Sequence, residues 1–438
     1  MKQENKFFQN AKWIIGCKII QSLIQLVIGM VTARYLGPSD YGLINYAASV
    51  TAFLIPFMQL GLQSTLVQEY ILAPEKSSEI LGTSMVMTGV SALLSIMGVI
   101  GFSLVANWGE PATILVCTLY GLTLLCQAME MIQYWFQAKM LSKYSALAML
   151  VAYLVISAYK VYLLVSGKSV YWFAVSHALE YGMSGVLMFV VQRRMDGGKL
   201  CFSWKLAKNL FSRSKYYILA AMMATVFHNT DHIMLKLISG NAENGFYTTA
   251  FTCTSIANFL YYGLADAVRP VILESRKQSY YTFEENTVRF YTVILWISIL
   301  QSMVSVILAE PIIEILYGQD YLPAVSVFRV LVLQLVFANA GIVRNIWILG
   351  TEQHNVLWKV NLCGVGANVV LNAFMIPVWG ASGAAFASVL TQCVINVIVG
   401  FLMPELRRNN QLMLRGLNPQ CLTEWLSQHM LNNSRGSR

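Results

Sequence analysis

Long apolar runs follow one another along the whole chain, separated by short polar breaks. Crossing the hydrocarbon as a helix takes roughly 20 apolar residues. Twelve segments meet that need: 13–33, 41–68, 80–106, 111–138, 144–165, 170–192, 213–238, 245–270, 288–308, 322–349, 355–376 and 382–403. The runs are continuous and do not alternate at period two, which predicts helices and argues against a β-barrel. The expected fold is an all-α integral membrane protein of twelve transmembrane helices. Its most extended polar break, 193–212, reads as a cytoplasmic linker between an N-terminal six-helix lobe (1–192) and a C-terminal six-helix lobe (213–403). Residues 404–438 read as a cytoplasmic tail.

Composition sharpens this. The chain of 438 residues is 57% hydrophobic and 12% charged, whereas soluble domains carry about 25% charged residues. Too little polar surface remains for a water-soluble globule. The net charge of +9 would suggest nucleic acid in a soluble protein, but in a membrane protein it reports orientation, because basic residues collect in cytoplasmic loops. With both termini in the cytoplasm, 23 of the 30 Lys and Arg lie on that side and only Arg34 and Lys168 opposite. Lys18, Lys160, Lys236, Arg329 and Arg344 lie within spans. No nucleic-acid partner is expected. Eight scattered cysteines, without a C-x-x-C pair, support neither a disulfide framework nor a zinc site. The stretch Ile14-Ile15-Gly16-Cys17 looks like a lipoprotein cleavage box, yet the run around it, with Lys18, Gln21 and Gln25, is too polar for a signal-peptide core. It reads as an uncleaved first span.

The break after the first span has an echo. Placing Gly37 over Gly240 aligns "YLGPSDYGLINYAA" with "LISGNAENGFYTTA", and Gly42 then falls on Gly245. Both turns link the first and second spans of a half and face the same side, implying a pseudo-two-fold axis along the membrane normal. With "ARYLGPSDYG" after the first span and "QLGLQSTLVQEY" ending the second, the chain resembles the O-antigen and polysaccharide flippases. These belong to the multidrug/oligosaccharidyl-lipid/polysaccharide (MOP) exporter superfamily. The resemblance implies a MATE-like fold in the bacterial inner membrane. It further implies translocation of an undecaprenyl-pyrophosphate-linked oligosaccharide, an O-antigen or capsule repeat unit, from the cytoplasmic to the periplasmic leaflet by alternating access. A polysaccharide polymerase and a chain-length regulator would be the associated proteins, alongside membrane lipid.

Polar residues inside the spans point to the same chemistry. A charge at mid-membrane costs roughly 2.5–3.5 kcal/mol on insertion scales, so it usually meets a partner or a wet cavity. Lys18, Gln21, Ser22, Gln25, Gly29 and Thr32 share a face of about 100° on the first span; this reads as a cavity wall, with helix–helix hydrogen bonding as the alternative. Cations suit a pyrophosphate, whose charge forbids unassisted crossing. Lys18 and Arg344 lie near the inner leaflet and Lys160 and Lys236 further out; Lys160 and Lys236 are also placed to snorkel. Glu130 shares the inner level, and Asn361, Asn368 and Asn372 form a stripe about 40° wide, open to either cavity lining or interhelical bonding. His228, Asp231 and His232, at i, i+3 and i+4, form a candidate ion-coupling cluster for H+ or Na+, or a static pair with Lys236. No other cofactor and no metal are expected. Pro56, interior to the second span, predicts a kink.

Two other classes are weighed. A multidrug or small-molecule cation antiporter of the same superfamily would be expected to line its cavity with acids, and five cations in spans argue against that. A membrane-embedded polymerase or ligase would need a large outer loop, yet the longest, 309–321, carries only Glu310, Glu314 and Asp320. The chain is not expected to be an enzyme.

Overall fold

The computed structural model describes residues 2–353, 355–418 and 420, with side chains from Trp13 onward except those of Ala220, Ala257, Phe259 and Leu260. Among the described residues there is no strand. The chain divides into two compact units, 1–245 and 246–438. The first contains α1 (Lys2–Met58), α2 (Leu62–Leu72), α3 (Ser77–Ala106), α4 (Pro111–Gly121), α5 (Thr123–Gln127), α6 (Ile132–Ala138), α7 (Ser142–Val165), α8 (Val170–Met195), α9 (Trp204–Ser239) and the start of α10 (Asn241–Gln278). The second contains the rest of α10, then α11 (Tyr280–Ile307), α12 (Ala309–Tyr317), α13 (Ala324–Leu331), α14 (Gln334–Gly350), α15 (Asn355–Cys393), α16 (Val399–Leu402) and α17 (Pro404–Leu417).

Eight helical stretches among the described residues are long and apolar enough to cross a membrane. Two of them are doubled: Trp13–Leu72 holds segments 13–33 and 41–68, and Asn355–Leu402 holds 355–376 and all but the last residue of 382–403. Segments 213–238 and 245–270 lie on α9 and α10. At 36 and 38 residues those helices do not lack length at 1.5 Å per residue. They lack apolarity, with His228 to His232 midway along one and Thr248, Thr249, Thr252 and Thr254 on the other.

Glycine sets the breaks. α1 is two helices meeting at Gly37 (φ 71°, ψ 172°), a conformation that a Cβ would forbid. Pro38 then opens the next segment, where its missing N–H is harmless. Gly240, between α9 and α10, repeats the corner with φ 95° and ψ 179°. Pro56 lies two residues before α1 ends at Met58, and the second predicted span is interrupted just beyond it, where Leu60 (φ 51°) and Gly61 (φ 63°) separate α1 from α2. The aligned second glycines pack against each other's turns. A Cβ on Gly42 would stand 1.9 Å from the Asn241 carbonyl oxygen, and one on Gly245 would stand 2.0 Å from that of Pro38. This contact is reciprocal under the alignment that pairs 38 with 241.

In the first unit, one core gathers Leu43, Tyr46, Val50, Val99, Val116, Leu163 and Phe173. The other gathers Leu66, Ile80, Met131, Trp135, Phe136, Met188 and Leu210. α9 lends Leu210 to this unit, and Arg213 bonds Glu69 at 2.8 Å and Gln68 at 2.7 Å. In the second unit α17 lies against α11. Leu406, Leu412 and Met413 are buried, Arg408 grips Glu284 through two nitrogens, and Arg415 meets Glu285 at 2.7 Å.

Candidate functional site

The first helical segment of α1 presents two opposite faces. Ile15, Ile19, Leu23, Val27 and Val31 form an exposed apolar stripe suited to acyl chains. On the other side lie Lys18, Ser22 and Gln25, exposed, with Gln21 and Thr32 half-buried. A Cβ on Gly16 or Gly29 would meet no atom within 4 Å, so the segment stands open. Among the described residues no carboxylate pairs with Lys18.

The other two cations within spans of the first unit, Lys236 and Lys160, already face carboxylates. Lys236, near the end of α9, is 5% exposed. Its ammonium donates to Asn107 Oδ1 and to Glu110 Oε2 at 2.7 Å, and it sits 5.1 Å over the Tyr46 ring. Asn107 in turn donates to the Tyr46 hydroxyl at 2.9 Å, and Thr113 donates to Glu110 Oε2 at 2.7 Å. Glu110 lies between α3 and α4, and its carboxyl is held below the usual range, first by the Lys236 hydrogen bond and then by Thr113. Lys160 on α7 is buried 3.8 Å from Glu180 of α8. Nothing in the sequence pattern singles out Glu110 as the partner of Lys236, 126 positions away.

The cluster on α9 is divided by exposure. Asp231 and His232 are buried in the unit, while His228 is exposed and lies edge-on to Phe227 at 5.7 Å. Both imidazoles remain within electrostatic reach of Asp231. His232 Nδ1 bonds Asn244 Oδ1 at 2.9 Å, and Asn244 Nδ2 donates to the Gly42 carbonyl at 2.7 Å. The cluster is thus tied to the paired glycine turns, a link sequence spacing does not reveal.

In the second unit Arg344 is buried. It donates to the Ile395 carbonyl at 3.0 Å, Asn396 Oδ1 at 2.8 Å and Asn345 Oδ1 at 3.1 Å. Its Nε makes no hydrogen bond. Residues 394–398 form a widened π turn, whose i→i+5 pattern disturbs the regular backbone ladder; Arg344 straps that turn. Beside it, a cleft of about 170 Å3 is lined by Arg269, Asn345, Ile346, Ile348, Leu349 and Leu357, with Arg269 3.2 Å from Asp266. The asparagine stripe on α15 divides: Asn368 and Asn372 are buried and bonded at 3.1 Å, and Asn361 is exposed. Glu130 is half-buried in the first unit.

The family model described as "Polysaccharide biosynthesis protein" matches residues 7–276. The capsular polysaccharide biosynthesis protein CapF of Staphylococcus aureus is 23% identical over 406 residues, covering 88% of this chain and 96% of that relative. The probable low-salt glycan biosynthesis flippase Agl15 of Haloferax volcanii is 21% identical over 197 residues, covering 45% of this chain and 42% of that relative. Among solved structures, the lipid II flippase MurJ in an inward closed conformation matches with TM-score 0.69 at 14% identity, over 94% of this chain and 92% of that one. An inward-facing multidrug resistance MATE transporter of the MOP superfamily matches with TM-score 0.67 at 14% identity, over 89% and 94%. The structural likenesses establish the fold: an all-helical, multi-pass membrane protein.

Proposed function

We infer from one premise, that this chain belongs to the polysaccharide biosynthesis protein family and is a polysaccharide flippase of the MOP superfamily, that its substrate is an undecaprenyl-pyrophosphate-linked oligosaccharide. It carries that lipid from the cytoplasmic to the outer leaflet of a bacterial inner membrane by alternating access, with both termini in the cytoplasm. The observation that carries this reading is the open polar stripe of α1, headed by Lys18 and backed by an apolar stripe. A helix so divided borders lipid on one side and a hydrophilic path on the other. Lys18 lies about a turn and a half into a span that enters from the cytoplasm, where a pyrophosphate would arrive.

Lys18 is the first anion ligand in this reading. Lys160 and Lys236 already face carboxylates and serve the anion by exchanging those partners, while Arg344 acts with the adjoining Arg269-lined cleft. Gln21, Gln25 and Glu130 of the first unit and Asn361, Asn368 and Asn372 of the second offer hydrogen bonds to sugar hydroxyls. Asp231 and His232, with His228, supply the coupling site for H+ or Na+; full translocation with unchanged ion dependence in Asp231→Asn would remove that role. A polymerase and chain-length regulator take up the product. The test is transfer of a lipid-linked oligosaccharide across proteoliposomes containing the purified protein. Transfer above empty vesicles supports the reading, and transfer equal to empty vesicles overturns it.

A further inference from the structure

The first unit holds another group of ionisable side chains, apart from Lys18 and Lys236. Glu130 sits in the tight turn Ala128–Met131, Lys160 on α7 and Glu180 on α8. Lys160 pairs with Glu180 at 3.8 Å. Glu130 lies within electrostatic reach of Glu180, and among the described residues no basic group stands within ion-pair distance of it. Lys160 therefore answers Glu180 alone, and an ionised Glu130 would be left as a surplus negative charge in a part of the chain where charge is costly.

A second observation shows what answers it. Gln127, one turn before Glu130, is 8% exposed, and its Oε1 accepts no hydrogen bond. Its amide lies within electrostatic reach of the Glu130 carboxyl, three positions further on. An ionised carboxylate only accepts, so it takes the amide NH2 and strands the amide oxygen. A protonated Glu130 reverses this: the amide turns over, and its oxygen accepts from the carboxylic O–H. One proton thus cancels the surplus charge and satisfies the stranded acceptor together. Ser184, one turn on from Glu180, also has a buried hydroxyl without a partner. Among the described residues the other titratable groups within reach of the carboxyls are Tyr134 of α6, Tyr153 of α7, Tyr120 of α4 and Tyr181 of α8, and His177 of α8 is within reach of Lys160. The His177 ring lies 4.9 Å from that of Tyr120. Besides Lys160, His177 alone of these can carry positive charge.

We propose that Glu130 and Glu180 form a proton-binding site inside the first unit, Glu130 taking the proton while Glu180, with no anion bound, pairs with Lys160. It is distinct from the α9 cluster and independent of which substrate crosses. Infrared difference spectra between acid and alkaline pH, recorded on the purified full-length protein in lipid nanodiscs, read a buried carboxylic C=O directly. The expected band is present in the wild type, lost in Glu130→Gln, kept in Glu75→Gln on an exposed turn, and indifferent to sodium at fixed pH. A spectrum without the band overturns the site, as does a band that survives Glu130→Gln. A band displaced by sodium at fixed pH overturns the assignment to a proton. If Glu130→Gln fails to fold, Glu130→Asp decides: a shifted band supports the site, an unshifted one overturns it.

Discussion

Replacing Gly245 by alanine places a methyl where backbone already stands. The added carbon lies 2.0 Å from the Pro38 carbonyl oxygen and 2.8 Å from its carbon, against an ordinary contact of 3.4–4 Å, so the two turns must part by about 1.4 Å. The obstacle is main chain in a first helical turn and cannot rotate aside. Overpacking of this kind costs about 1–3 kcal/mol. Parting the turns also stretches the Asn244–Gly42 bond of 2.7 Å, a loss of about 0.5–1.5 kcal/mol. Alanine returns about 1 kcal/mol of helix propensity. The balance is a destabilisation of about 2 kcal/mol, roughly a 30-fold drop in the folded-to-unfolded ratio. Gly29→Ala is the matched control. No atom lies within 4 Å of its added carbon, so propensity acts alone and stability should rise by about 0.5–1 kcal/mol. Thermal unfolding of the purified protein, followed by tryptophan fluorescence, reads both. A Gly245→Ala protein that melts at or above the wild type would refute the close-approach argument, and so would an equal fall in Gly29→Ala.

Three further outcomes are expected. Glu110 has its carboxyl held low by Lys236 and Thr113, so its contribution is complete above the unfolded value of about 4.3 and fades as pH falls through the lower folded value. Melting temperature should therefore drop on acidification below roughly pH 4, and Glu110→Gln should flatten that limb; an unchanged limb sinks the assignment. Lys18→Ala should melt like the wild type yet transfer lipid-linked oligosaccharide about 10- to 100-fold more slowly, the worth of one charge-assisted hydrogen bond, with Lys18→Arg retaining most transfer. Arg344→Met leaves the Ile395 carbonyl and Asn396 without their donor at about 1–3 kcal/mol for each unmet group, and a melting temperature equal to the wild type would contradict the strap.

The apolar runs made the helices legible because bilayer length leaves few alternatives, and the matched glycines pointed to a real pair of turns. Gly37 and Gly240 share a backbone corner that only glycine holds at low cost. Polar partnerships were not legible in the same way. A helical wheel puts His228, Asp231 and His232 near one another but cannot say that the first faces outward and the last finds Asn244. Nor can it pair Lys236 with Glu110, since that bond joins a helix to a connection 126 positions away. The role of Arg344 depends on a widened turn at 394–398 that no periodicity announces. Pro56 marked the right neighbourhood, but the break itself falls at Leu60 and Gly61, whose positive φ no proline announces.

The α11–α17 clasp sets a schedule for biogenesis. Glu284 is 4% exposed in the finished protein, and the guanidinium that answers it comes 124 residues later. At translation rates of about 5–20 residues per second, the nascent chain waits roughly 6–25 s between the two. Throughout that interval Glu284 stands in the first turn of a newly made helix with its guanidinium partner still unmade.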